Sequence, residues 1–180
     1  MSFWNLSDGE DISTTGKSFE SGGSYELIPH GTSAVAFVDE AKWAEDREGN
    51  RHISLRWCIA APADLNNRKV FQKLWVADAK PMASDPVKAR DKAKRMLAAI
   101  DANAGGKLFA SGKEPTDDSL SMCLSNKPMS IKVNVWEMPK DRDNPKGEKI
   151  SGNVIVAVGP KPAAKKAAPV VLHDDEDTPF

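Results

Sequence analysis

A catalytic centre needs reactive groups that converge, and this sequence offers few of them. Its three histidines, His30, His52 and His173, have no partner at nucleophile or metal-ligand spacing. Two isolated cysteines, Cys58 and Cys123, cannot build a thiolate zinc site. No phosphate-loop pattern occurs, and Gly22-Gly23 and Gly105-Gly106 read as flexible joints. Magnesium-dependent nuclease chemistry requires clustered carboxylates, for which Asp141 and Asp143 in a charged loop are a poor source. The residue types point away from an enzyme and call for neither a cofactor nor a metal.

Binding chemistry is better represented. Arg68-Lys69-Val70-Phe71-Gln72-Lys73-Leu74-Trp75-Val76, read at period two, is a strand with two unlike faces. Val70, Leu74 and Val76 share one face, interrupted by Gln72. Lys69, Phe71, Lys73 and Trp75 share the other, so cation and aromatic alternate. A buried face has no use for two lysines, and a fully solvated face has no use for Phe and Trp. A polymer with an anionic backbone and flat bases uses both: lysines neutralise phosphates, and each ring stacked on a base contributes roughly 1–3 kcal/mol. The competing assignment is a sheet face covered by other parts of the chain, with lysine stems snorkelling outward.

Composition narrows the setting. A chain of 180 residues suffices for one domain with a core and tails, and 40% hydrophobic with 28% charged residues is ordinary for a globular protein. No apolar run approaches the roughly 20 residues that span a bilayer. Met1-Ser2-Phe3-Trp4-Asn5 lacks the basic start and apolar stretch of a signal peptide, so a cytoplasmic protein without membrane contact is expected, with its cysteines reduced. The net charge of −1 conceals a division. Residues 1–50 carry 3 basic and 10 acidic groups, residues 51–172 carry 22 and 12, and residues 173–180 carry none and 4. A basic middle with a net charge of +10 thus lies between acidic ends that compete for it.

The elements that must position the alternating face follow from periodicity. Residues 1–24 show no sustained period and are expected to be poorly ordered. Ser33 to Trp43 reads as a first strand, with Val35, Phe37 and Ala41 on one face and Ala36 and Val38 on the other. A polar turn, Glu45 to Asn50, leads to a second strand over Arg51 to Ala60. Its apolar side is Ile53, Leu55, Trp57 and Ile59; its other side carries His52, Ser54, Arg56 and Cys58, with His52 expected at the surface. The aromatic-basic strand is third. A helix follows, with Asp85 as N-cap, Pro86 in its first turn, an apolar stripe of Ala89, Ala93, Met96, Leu97 and Ile100, and a stop at Gly105-Gly106. The basic remainder of that helix is read mainly as a solvated face. Asp117 to Asn126 suggests a short helix capped by Thr116. Pro128 to Met138 is a fourth strand with Met129, Ile131, Val133 and Val135 inward and Lys132, Asn134 and Trp136 outward. Lys149 to Val158 is a fifth. Residues 159–172 form a Pro/Ala/Lys linker and 173–180 an acidic, disordered tail.

Three meander strands, a helix and two further strands make the element order of an OB-fold, a mainly β, five-stranded, partly open barrel with a helix between strands three and four, here over residues 25–158. The acidic loop after strand one, with Glu45, Asp46 and Glu48, departs from the binding surface usual in that fold. Asp174-Asp175-Glu176-Asp177-Thr178-Pro179-Phe180 resembles the terminal motif of bacterial single-stranded DNA-binding proteins, and bacteriophage single-stranded DNA-binding proteins are similar. The body, notably Asn67 to Trp75 and Ala93-Lys94-Arg95-Met96-Leu97, also looks like phage proteins of this kind. The likeness is close over the last seven residues and loose over the body. It implies a protein that coats and protects single-stranded DNA with little sequence preference in phage replication, recombination or repair, within the host cytoplasm. It also implies that Asp174, Asp175, Glu176, Asp177, Pro179 and Phe180 recruit a polymerase, helicase, primase or nuclease.

The DNA contacts expected from the residues are Arg56, Lys69, Phe71, Lys73, Trp75, Lys132 and Trp136. Two alternatives remain open at this point: a strand-annealing or recombination-mediator protein, and an OB-fold adaptor that binds protein. Homo-oligomer formation, DNA over RNA preference and site size are likewise open.

Overall fold

The computed structural model describes residues 26–163 apart from 79, 82 and 142. The segment 1–24, the end of the linker and the tail residues Asp174, Asp175, Glu176, Asp177, Pro179 and Phe180 lie outside the described residues. One five-stranded antiparallel sheet organises the rest, with β1 (Thr32–Glu45), β2 (Arg51–Ala61), β3 (Lys69–Leu74), β4 (Met129–Pro139) and β5 (Lys149–Gly159) in the order β3-β2-β1-β4-β5. Between β3 and β4 lie α1 (Pro86–Ala104), α2 (Lys107–Ala110) and α3 (Asp117–Leu124). Among the described residues no helix is long and apolar enough to cross a membrane.

The meander forms because its turn and its alternation agree. At the β1–β2 hairpin the Asp46 carboxylate accepts hydrogen bonds from the Glu48 and Asn50 backbone N–H groups at 2.9 and 2.8 Å, and from Asn50 Nδ2 at 2.9 Å. Gly49 supplies the positive φ of +83° that such a turn demands. The hydrogen bond from the Asn50 side chain, ahead of the backbone donors, holds the Asp46 carboxyl below the usual carboxylate range. This acidic loop is therefore a closure device for the hairpin.

In β2 the expected apolar side is fully buried: Ile53, Leu55, Trp57 and Ile59. In β1 the inward set is Ala34, Ala36 and Val38, yet Ala41 joins them. A register shift between Val38 and Glu40 adds one residue and inverts the alternation. That irregularity is why Val35 and Phe37 do not share Ala41's face.

α1 begins and ends as its residues dictate. The Asp85 side chain accepts from Lys88 N at 3.0 Å, Pro86 occupies the first turn, and Gly105 at φ +119° terminates the helix. Ile100 is fully buried, while Ala93, Met96 and Leu97 pack partly buried against the core. Asp101 is buried because it caps α2, an element with no periodic signal: its carboxylate accepts from Leu108 N at 3.0 Å and Phe109 N at 2.8 Å. α3 has the anticipated Thr116 cap, in a reciprocal box with Ser119. Cys58 and Cys123 are both free thiols.

The two edge strands face each other. Gln72, the one polar residue on the inner side of β3, donates from Nε2 to the Ile155 carbonyl of β5 at 3.1 Å. Its Oε1 accepts from Trp57 Nε1 at 3.0 Å, and α1 packs against both β3 and β5. The sheet thus curls until a single buried amide bridges its edges. Replacing Gln72 by Leu is expected to leave the buried Trp57 N–H without a partner and to lower unfolding free energy by about 1–3 kcal/mol. Urea unfolding measures this, and a midpoint equal to the wild type would remove Gln72 from the account of closure.

Candidate functional site

β3 keeps the alternation read from its sequence. Val70, Gln72 and Leu74 point inward, while Lys69, Phe71 and Lys73 are exposed, Phe71 at 67%. Facing this edge is the outer side of the β4–β5 hairpin, with Trp136 exposed at 39% and Met138, Val156 and Ile150 similarly open. Trp136 is paired in register with Gly152, and a Cβ at Gly152 would come within 2.7 Å of the indole. The ring lies flat over the glycine, which a larger residue would prevent. Met96 of α1 lines the space between the two strands.

These surfaces bound an open groove of about 1390 Å³. Its cations are Arg68, Lys69 and Lys73 from the β3 side, Lys80 from the segment that follows, and Lys92 from α1. Phe71 stands among them, and Trp136, Met138, Val154 and Val156 form the opposite, apolar wall. Among the described residues lining the groove there is no carboxylate. Two of its amides are committed inside the protein. Asn153 exchanges hydrogen bonds with the Ile28 backbone at 2.9 and 2.8 Å, and Gln72 bridges Trp57 and β5.

Of the seven body residues singled out from the sequence, the groove collects Lys69, Phe71, Lys73 and Trp136 with their side chains open to it. The other three stand differently. Trp75 borders the inner end of the groove, but β3 ends at Leu74, so the period-two face does not extend to it. Its ring is 8% exposed and stacks on His52, with centroids 4.5 Å apart at 39°. Arg56 lies opposite Phe71 in the β2–β3 register, yet its guanidinium is held by Asp39 at 3.0 Å and Glu40 at 2.8 Å. Lys132 is exposed on β4 beside Ser33 and Ala157, outside the groove.

His52 also departs from expectation, being 2% exposed instead of lying at the surface. Its Nδ1 is buried and has no hydrogen-bond partner among the described residues. Burial, followed by the charge of Lys73, pushes its pKa below the ordinary histidine value. Lys69 is charge-stabilised in the opposite sense: the Asp39 carboxylate beside it raises its pKa, and Lys69, then Arg56, holds Asp39 below the usual carboxylate range.

Residues that pattern reading overlooked here are Lys80, Met138, Val154 and Val156, together with Gly152. The available signal was the pairing of outward Trp136 and Met138 at spacing two. Among the described residues no group of three His, Cys, Asp or Glu side chains is placed to hold a metal. No known protein-family model and no curated protein sequence matches this chain.

A neutral buried His52 has a stability consequence with a definite sign. Unfolding frees it to take up a proton near pH 6.5, whereas the folded state resists protonation. Its contribution is complete above that value and is lost as pH falls toward the depressed folded value. The melting temperature should therefore drop between pH 7.5 and pH 5. His52→Phe, which keeps a ring on Trp75, should shrink the drop; an unchanged pH profile in that variant would show that His52 is not its source.

Proposed function

We propose that the protein binds single-stranded DNA non-specifically along the groove between β3 and the β4–β5 hairpin. The observation that carries this reading is the groove's composition: two exposed aromatic rings and five cations with no carboxylate among the described lining residues. The walls differ in kind. Cations cluster with Phe71 on the β3 and α1 side and apolar side chains with Trp136 on the β4–β5 side, so phosphates track the first wall while bases reach the ring on either side. Stacking on Phe71 and Trp136 is indifferent to base identity because every base has a π-face. Of the four amides that line the groove, Gln72 and Asn153 are already engaged within the protein and are removed from reading base edges.

The same reading takes the body as an OB-fold. In its favour are the order of three strands, helices and two strands, the central place of β1 between β2 and β4, and the approach of β3 to β5. Such a barrel binds oligonucleotides on the face of its second and third strands, flanked by the loops after strands one and four, and here the third strand and the β4–β5 hairpin line the groove. The acidic run Asp174 to Asp177 with Pro179 and Phe180 is proposed as the segment that recruits replication or recombination proteins in the cytoplasm. An aromatic ring with acids before it suits a basic pocket having an apolar centre.

Two measurements test the body. Phe71→Ala should weaken binding to oligo-dT by about 1–3 kcal/mol while leaving the melting temperature unchanged, because the ring is largely solvated. Trp136→Ala should weaken binding likewise and abolish part of the tryptophan quenching on binding. Trp75→Ala should instead lower stability first, its ring being buried. Affinity for oligo-dT should fall with salt at a log–log slope near −0.7 per phosphate neutralised, hence roughly −3 for four to five contacts. A slope of zero, or equal affinity in a folded Phe71→Ala/Trp136→Ala variant, would favour a protein-binding groove over a strand-binding one.

The tail has its own test. Deleting residues 173–180 should tighten oligo-dT binding at low ionic strength and abolish capture of a replication protein. The gain should fade as screening shortens toward about 10 Å near 0.1 M salt. Unchanged affinity and unchanged capture would remove the tail from the mechanism.

A further inference from the structure

The extra residue in β1 has placed a carboxylate at the rim of the groove. Across the register shift Val38 pairs with Trp57 and Glu40 with Arg56, leaving Asp39 unpaired between them. Val38 and Ala41 both point inward, so Asp39 and Glu40 reach the outer surface together. There Asp39 Oδ2 accepts from Arg56 Nε at 3.0 Å and from Lys69 Nζ at 2.7 Å. Glu40 meets Arg56 Nη1 at 2.8 Å and Lys42 at 2.5 Å. A chain of alternating charge, Lys42–Glu40–Arg56–Asp39–Lys69, therefore crosses β1, β2 and β3 and ends two residues from Phe71.

Phe71 is the residue directly opposite Arg56, and Lys69 flanks it along its own strand. Two of the three cations beside the groove's most exposed ring, Arg56 and Lys69, are thus held by one carboxylate in the free protein. All three side chains are partly solvated, and exposed ion pairs add little to stability. A stability role does not account for a bulge that presents two carboxylates to a basic edge.

Resting on the strand-binding reading above, we propose that Asp39 is an internal competitor of the nucleic-acid backbone. It occupies Lys69 and Arg56 where a phosphate of a nucleotide stacked on Phe71 would sit, and it yields them when the strand seats. The depressed pKa of Asp39 keeps the competitor charged across the neutral range. Its effect is to weaken binding of single contacts and to leave tight binding to strands long enough to engage the whole groove. Short oligonucleotides, which present few phosphates, are the ones it excludes.

The test is fluorescence anisotropy of the full chain with labelled oligo-dT of two lengths, over a salt series. Asp39→Asn should tighten binding roughly three- to tenfold at low salt, more for the short oligonucleotide, and steepen the log–log slope by up to about 0.7 for each cation released. Asp39→Glu, which keeps the charge, should bind as the wild type does. In a Lys69→Gln/Arg56→Gln background, Asp39→Asn should bring no tightening, because the cations it frees are gone. Weaker binding by Asp39→Asn would show that the carboxylate positions Lys69 for the strand, and unchanged binding would show that it does neither. Either result overturns the proposal. A melting curve accompanies each variant, and should Asp39→Asn fail to fold, Asp39→Ser carries the same comparison. A wild type that binds no oligo-dT at low salt would instead sink the strand-binding reading itself, so the two failures are distinguishable.

Discussion

A five-stranded open sheet has two edges, and this molecule is organised by how it deals with them. Full closure would pair β3 with β5 along their length and leave no groove. Leaving them apart would expose two unpaired ladders, a template for aggregation. Gln72 settles the matter at one point. Its amide is long enough to reach the Ile155 carbonyl from the inner face of β3 while also receiving the Trp57 N–H. Beneath the gap α1 packs against both strands. Because the bridge is buried and both its polar ends are satisfied, the separation of the two edges is fixed. Residues of β3 and of the β4–β5 hairpin consequently line one trough.

What could be read from the sequence was what depends on near neighbours. The alternation of Ile53, Leu55, Trp57 and Ile59, the Asp85–Pro86 start and Gly105 stop of α1, and the Thr116 cap all arise from interactions within a few residues. The exposed Lys69–Phe71–Lys73 series was legible for the same reason. The misreadings lie where a distant partner decides. Trp75 continues the alternating pattern on paper, but β3 stops at Leu74 and the ring turns onto His52, which is buried with it. Gln72 looked like a flaw in an apolar face, whereas its partner Ile155 is 83 positions away. The bulge at Asp39 has no local signature, and without it the ion pairs that occupy Arg56 are invisible.

Net charge illustrates the same limit. A total of −1 and even a middle segment of +10 say nothing about where carboxylates sit. Asp46 is spent on a turn, Asp101 on the cap of α2, and Asp85 and Asp117 on backbone N–H groups at Lys88 and Trp43. Each of these acids is tied to main-chain donors, and none of them lines the groove. The positive potential of the trough results from this disposal of negative charge as much as from its lysines. Asp39 comes to the rim of the trough, where it touches the groove's own Lys69.

The lysines of β3 have a structural explanation that needs no ligand, since charge on an edge strand blocks edge-to-edge association. That explanation does not extend to the aromatic residues. A gatekeeper strand gains nothing from a phenyl ring exposed at 67%, and a solvated hairpin gains nothing from Trp136, Met138, Ile150 and Val156 on one face. Exposed apolar surface of this kind favours the very association that the lysines oppose. Gly152 sharpens the contradiction, because the indole of Trp136 sits where any side chain at that position would collide with it. Edge protection accounts for half of the trough's composition and is opposed by the other half. A ligand that is anionic along its length and flat at its side groups requires both halves, and it requires them interleaved as β3 interleaves them.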